Sequence, residues 1–254
     1  PSIRRLVTLA RELDIILAVG MTELDGNRAY ITHVLIDPAA PGPPTGILGT
    51  HRKSALAGGP TGEASVWDQG NDANVFTIRG HKVGIAICFE SVEPETCAAL
   101  RANGAEIILA PYANGTRPTD ITRPADNQRR YIWDRVRENQ VWYIGCDATP
   151  HDPDGNLTPG TAYAIRPDGS LAAANDGFND DLLITDFDPA INNGENAADP
   201  YTERPAEWRL FEALKLGVGD YLHKTGFRSA VLGLSGGIDS AVTAVVAAAA
   251  LGAD

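Results

Sequence analysis

A chain of 254 residues, 43% of them hydrophobic, can bury one large core or two modest ones and has the composition of a globular protein. Its formal net charge of −12 repels polyanions, so nonspecific binding to nucleic acid or to an anionic membrane is excluded as a main activity, and small-molecule chemistry is expected. The three cysteines, Cys88, Cys97 and Cys146, are odd in number and form no CxxC pair, which fits neither a disulfide framework nor a structural zinc site and points to a reducing cytoplasm. No apolar run reaches the roughly 18 residues of a membrane span.

Between Ser2 and Leu13, Leu6, Leu9, Ala10 and Leu13 recur at helical spacing, and IILAVGMTE follows as a buried strand. AYITHVLID, NVFTIRG, HKVGIAICFE, AEIILAPYA, QVWYIGCDA, TAYAIRPDG and DLLITDFD are further strand candidates. Helical runs interleave with them, at PETCAALRANGA and ADNQRRYIWDRVREN. The turn-rich stretches IDPAAPGPPTGIL and IRPDGSLAA predict hairpins, so the sheet is mixed rather than purely parallel. A polar stretch, INNGENAADPYTERPAE, then separates a nearly complete domain over 1–190 from a second segment over 207–254, with 191–206 as linker. That second segment carries a helix in EWRLFEALKLGVGDYLHKTGF, a buried strand in SAVLGLS, a Gly-Gly turn and an Ala-rich helix. The chain opens on Pro1 and stops at LGAD, before any strand its last helix could feed, and is expected to be an internal piece of a longer protein.

Chemistry concentrates at two places. HKVGIAICFES sets Cys88 at the end of an apolar strand, turning toward a helix near Pro94; a nucleophile at such an elbow is presented at the sheet edge, where the amides that follow can face an oxyanion. A lone cysteine there also fits a buried structural thiol. HRKSALAGGPTGEASVWDQG supplies Lys53 and Glu63, which taken singly read as a solvated surface lysine and a solvated loop carboxylate. Together, however, GMTELDGNRAY, HRK, PTGE, VGIAICFES, GAEIILAPYANG and RVRENQVWYIGC resemble the nitrilase, or carbon-nitrogen hydrolase, superfamily over nearly all of residues 1–190. The resemblance implies an α/β fold, a nitrilase-like α-β-β-α sandwich that becomes four-layered on association, and hence a homo-oligomer. It implies that Cys88 attacks an amide or nitrile carbon as thiolate, that the Lys53 ammonium stabilises the oxyanion, and that Glu63 positions substrate or the lysine. A free thiol titrates near pKa ~8.5, so such an attack needs neighbouring positive charge or a base.

One family element falls outside the match. The general-base glutamate of the superfamily lies upstream of the first helix, in an FPE-like segment, so the piece as it stands is expected to be a poor hydrolase. Glu23, in GMTELDG, aligns with a different element and reads as structural or peripheral to substrate. Cys97 and Cys146 read as inert core thiols, and Trp133, Trp142 and Tyr143 as core or interface residues. The five histidines, His51 and His81 among them, lack metal spacing, and no protein-held metal is expected.

The second place is GLSGGIDS, from Gly233 to Ser240, a Gly-rich turn between strand and helix that can hold phosphate on backbone amides. It has neither the GK[ST] of a Walker A loop nor the GxGxxG of a dinucleotide fold. It resembles the SGG-[IV]-DS loop of the N-type ATP pyrophosphatases, and the resemblance implies pyrophosphate cradled by Ser235, Gly236, Gly237 and Ser240, with Asp239 organising the loop or a metal. With the preceding ALKLGVGDYLHKTGFRSAV it resembles the start of the synthetase domain of the glutamine-dependent NAD synthetase family, in which a nitrilase-like glutaminase precedes a Rossmann-like doubly wound α/β domain. That resemblance implies small-molecule substrates, glutamine, deamido-NAD and ATP with Mg2+, and the formation of NAD with release of AMP and pyrophosphate, with no nucleic-acid or membrane partner. The alternatives are a stand-alone nitrilase or aliphatic amidase, and a noncatalytic truncated scaffold.

Overall fold

Apolar strand segments, several of them buried on both faces, build two sheets packed against each other in the first part of the chain. In the computed structural model the described residues are 3–41, 46–59, 62–71, 73–113, 124–147, 161–175, 177, 182–199 and 205–252, with the backbone alone described at 124–129, 206 and 209. Helix α1 (Ile3–Leu13) leads into β1 (Leu17–Asp25), β2 (Arg28–Ile36) and β3 (Ile47–Arg52), an antiparallel three-stranded sheet in that order. The second sheet has six strands in chain order: β4 (Val75–Ile78), β5 (His81–Ile85), β6 (Ile107–Pro111), β7 (Trp142–Cys146), β8 (Tyr163–Ile165) and β9 (Leu171–Ala174). Its middle strands β5, β6 and β7 run parallel, and the outer pairs β4·β5, β7·β8 and β8·β9 are antiparallel.

The parallel pairs need crossovers, which α2 (Pro94–Ala102) and α3 (Pro124–Asn139) supply. The antiparallel β4·β5 pair needs only the turn Arg79-Gly80, with φ of 48° and 90°, the doubly left-handed geometry that matches strand twist. The IDPAAPGPPTGIL and IRPDGSLAA stretches do join antiparallel neighbours, β2 to β3 and β8 to β9.

Period-two alternation sorts side chains between layers. Leu35 from β2 meets Ile85 of β5, with Leu48, Phe76 and Leu109 around them, and this apolar seam lies between the sheets. On the far side of the six-stranded sheet, Cys97 and Leu100 of α2 and Ile132 and Val136 of α3 pack on Ile108, Ala110, Tyr143 and Ile165. On the far side of the small sheet, Val7 and Ala10 of α1 pack on Val34 and Ile36. The layer order is therefore α-β-β-α. The buried stripe of α1 runs through Ile3, Leu6, Val7 and Ala10, whereas Leu9 and Leu13, expected on it, are exposed.

Two expected strands are not formed. In DLLITDFD the described residues, 182–188, run as irregular chain with Leu182 and Ile184 exposed, and their contribution is Phe187, whose ring meets Trp142 and His81 edge-on. SAVLGLS is likewise irregular: it has no strand partner among the described residues, and Val231, Leu232 and Leu234 stand exposed. A strand's backbone is satisfied by its neighbour, so high β propensity alone does not make one. The helices on either side do form, α4 (Ala206–Thr225) and α5 (Ile238–Leu251), and they pack on each other. Helix α4 ends in a left-handed glycine cap, with Gly226 at φ 79° and the amides of Gly226 and Phe227 bonded back to His223 and Leu222.

Candidate active site

Strand β5 ends at Ile85, the chain continues extended through Ile87, and Cys88 then adopts φ 50°, opening a tight turn over Cys88–Ser91 ahead of α2. A non-glycine residue in the left-handed region costs on the order of 1–3 kcal/mol and persists only where the surroundings hold it. Here they do. Ala86 donates its amide to Leu109 O at 2.9 Å, and Glu90 folds back to accept the Ile87 amide at 2.5 Å. Because the Glu90 amide is itself spent on Ile87 O at 3.1 Å, it does not face an incoming oxyanion.

Lys53 follows the end of β3. Its backbone is pinned on both sides, by Ile31 O, which accepts its amide at 2.8 Å, and by the Gly70 amide, which donates to Lys53 O at 2.8 Å. Its side chain is 1% exposed, which overturns the reading of a solvated surface lysine. The ammonium donates to both oxygens of Glu63, at 2.7 and 2.6 Å, and Glu63 also accepts the Ala57 amide at 2.6 Å. Glu63 stands on a short turn, Glu63–Ser65, and its side chain is 28% exposed, so it is partly sheltered and firmly held.

The thiol of Cys88 feels these groups. Burial pushes its pKa above the ordinary cysteine value, the nearby Lys53 ammonium and the amide of Ala113 pull it back, and the carboxylates of Glu63 and Asp147 push it up again. The fold thus brings Cys88, Lys53 and Glu63 into one electrostatic group from two segments, the β3–β4 connection and the turn after β5, with Asp147 as a further acid just past β7. Such a group can hold a thiol ready for attack beside a fixed cation able to face developing negative charge.

Four participants escaped the sequence reading: Asp147, Glu90, His51 and Ser54. Glu90 is fully buried, and its carboxylate accepts from His51 Nε2 at 2.9 and 3.1 Å, from the Ser54 amide at 2.6 Å and from Ser54 Oγ at 2.5 Å, besides the Ile87 amide. Burial alone raises its pKa, but the bonds from His51 and Ser54 outweigh that and hold it below the usual carboxylate value. The available signal was an acid two residues past the cysteine in an otherwise apolar strand end. Glu23 sits apart, accepting from Arg52 at 3.0 and 2.5 Å and from Thr32 Oγ1 at 2.7 Å, which is a structural tie between β1, β2 and β3. Cys97 is buried under α2, while Cys146 is exposed and so is not the core thiol expected. Trp142 and Tyr143 are core residues, and Trp133 packs against the same core with its indole N–H on Gly169 O at 2.9 Å.

The residues of GLSGGIDS form a group of their own ahead of α5. Ser235 Oγ and Ser240 Oγ lie 3.0 Å apart, Ser240 Oγ donates to Gly237 O at 3.0 Å, and Gly236 takes φ 85°. The loop is exposed, with Asp239 in the first turn of α5. Among the described residues no group of three or more metal-ligating side chains occurs.

Residues 1–191 match the family Carbon-nitrogen hydrolase, and residues 210–254 match NAD synthase. The glutamine-dependent NAD(+) synthetase of Rhodobacter capsulatus is 31% identical over 192 residues, covering 75% of this chain and 34% of that protein. The N-carbamoylputrescine amidase of Arabidopsis thaliana is 29% identical, covering 74% of this chain and 64% of the amidase. The structure of the glutamine-dependent NAD+ synthetase of Acinetobacter baumannii in complex with ADP superposes with a TM-score of 0.73 at 21% identity, covering 98% of this chain and 46% of that one. The chain thus spans between a third and two thirds of the length of these relatives. With three quarters of its length matched and a sandwich carrying cysteine, lysine and glutamate together, the chain belongs to the carbon-nitrogen hydrolase family.

Proposed function

We propose that the chain carries the glutamine-hydrolysing part, and the opening of the synthetase part, of a glutamine-dependent NAD synthetase. The observation that carries this reading is the order of two independent features: a carbon-nitrogen hydrolase domain with a buried Lys53, paired with Glu63, beside Cys88, followed by an NAD synthase match that contains the SGGIDS loop. The boundaries 1–190, 191–206 and 207–254 describe the same division.

In this reading the Cys88 thiolate attacks the side-chain carboxamide carbon of glutamine, and the charge that develops on the amide oxygen is met by the Lys53 ammonium, held in place by Glu63. Collapse of the tetrahedral adduct breaks the carbon–nitrogen bond, the leaving nitrogen takes up the proton that the thiol gave up, and ammonia departs from a glutamyl thioester. Water then attacks the thioester carbon, the carbon–sulfur bond breaks, and glutamate leaves with the thiol restored. At the second site the amides and hydroxyls of Ser235, Gly236, Gly237 and Ser240 would hold the ATP phosphates at the N-terminus of α5. Magnesium would enter on those phosphates with Asp239, the loop's single carboxylate, beside it, neutralising charge on the pyrophosphate that leaves. The carboxylate of deamido-NAD would be adenylated there, and ammonia would displace AMP to give NAD. A small-molecule enzyme of this kind, working as a homo-oligomer in the cytoplasm, agrees with the acidic surface.

The test is covalent. An electrophilic glutamine analogue, 6-diazo-5-oxonorleucine, incubated with the full-length protein should modify Cys88 and no other thiol, with free glutamine protecting. Modification spread over Cys88 and the exposed Cys146, or no modification, contradicts a glutamine site at Cys88. Hydrolysis of simple amides or nitriles with no ATP-dependent synthesis would instead identify a stand-alone amidase.

A further inference from the structure

Glu90 is bonded to both halves of the site and to nothing in solvent. Through His51 Nε2 and both donors of Ser54 it holds residues two before and one after Lys53, and through the Ile87 amide it holds the residue just before Cys88. The strand end that delivers the ammonium and the strained turn that delivers the thiol, 35 residues apart in sequence, therefore share one buried carboxylate. We propose that Glu90 is a positioning residue for the thiol chemistry, its carboxylate locking the Lys53 segment to the Cys88 elbow so that ammonium and thiol keep their relative placement. This rests on the reading of Cys88 as nucleophile.

The geometry separates this role from a direct electrostatic one. The charged groups that shift Cys88 are Lys53, Glu63 and Asp147, whereas the hydrogen bonds of Glu90 go to the segments that carry Lys53 and Cys88. In Glu90→Gln the side chain keeps its size but exchanges one acceptor oxygen for an NH2 group, so either the Ile87 amide or the two Ser54 donors lose their acceptor. If Glu90 positions the pair, Lys53 loosens and the thiol titrates higher. If Glu90 merely added a negative charge nearby, removing that charge would make the thiol titrate lower.

The experiment follows the rate of Cys88 alkylation by iodoacetamide against pH in the full-length protein, read by mass spectrometry, for wild type, Glu90→Gln and Ser54→Ala, with thermal unfolding of each. The expected result for folded Glu90→Gln is a midpoint moved upward by about one pH unit, which is about tenfold slower alkylation at neutral pH. Ser54→Ala, which deletes a single hydroxyl, is expected to move it the same way by less, and it decides the matter if Glu90→Gln does not fold. With glutamine as substrate, kcat should fall while KM stays. A wild-type or downward-shifted midpoint in a folded variant overturns the proposal. Alkylation does not depend on the natural substrate, so a wild-type protein that hydrolyses no glutamine would sink the proposed function while leaving this result readable.

Discussion

Lys53 sits 1% exposed against a glutamate, and the pair defines what each substitution should do. Lys53→Met removes the cation proposed to face the oxyanion and is expected to lower kcat for glutamine hydrolysis by on the order of 10²–10³, measured by glutamate release. Glu63→Gln leaves the ammonium with a weaker partner and should cost about 1–3 kcal/mol of stability by denaturant unfolding. At this scale the lysine in HRK and the glutamate in PTGE were singled out by the family resemblance alone, and only Cys88, at an apolar strand end, stood out by its position. Glu90 did not, because its role depends on His51 and Ser54, 39 and 36 residues away, which only the finished sandwich brings to it. Asp147 was hidden for the same reason.

At the scale of elements, the strand that ends at Arg52 must meet the loop returning through Gly70. A Cβ on Gly70 would lie 2.2 Å from the carbonyl oxygen of Arg52, a backbone atom that cannot yield without moving its neighbour Lys53. Gly70→Ala should therefore reduce glutamine hydrolysis and lower the melting temperature together, whereas Gly26→Ala, with open space around it but φ 62°, should lower the melting temperature and leave the activity intact. Leu100, which anchors α2 on the six-stranded sheet, should cost about 2–5 kcal/mol on truncation to alanine. Periodicity and turn chemistry located most of these elements correctly, including both hairpins. It failed at SAVLGLS and DLLITDFD because a strand is a property of a pair, and at Leu9 and Leu13 because the direction of the apolar face of α1 is decided by what β2 offers it.

For the whole molecule, buried ionisable groups set the response to acid. His33 is pushed down to about 4 from 6.5, chiefly by burial and then by His51, so the unfolded chain binds its proton more readily than the folded one. Stability is therefore expected to fall as pH drops from 6.5 toward 4, a loss carried by His33. Below 4.5 the depressed Glu90 adds a second loss in the same direction as it too protonates. Unfolding midpoints of wild type and His33→Gln across this range should converge as pH falls; parallel curves would exclude His33 as the source.

The two matched families make a sharper demand on the whole protein, since one is expected to supply ammonia and the other to consume it. The decisive measurement is NAD formation by full-length Cys88→Ala, assayed with glutamine and separately with ammonium as nitrogen source. A glutaminase feeding a synthetase predicts loss of the glutamine-dependent reaction with the ammonia-dependent reaction retained. Loss of both, or retention of the glutamine-dependent rate, would contradict it.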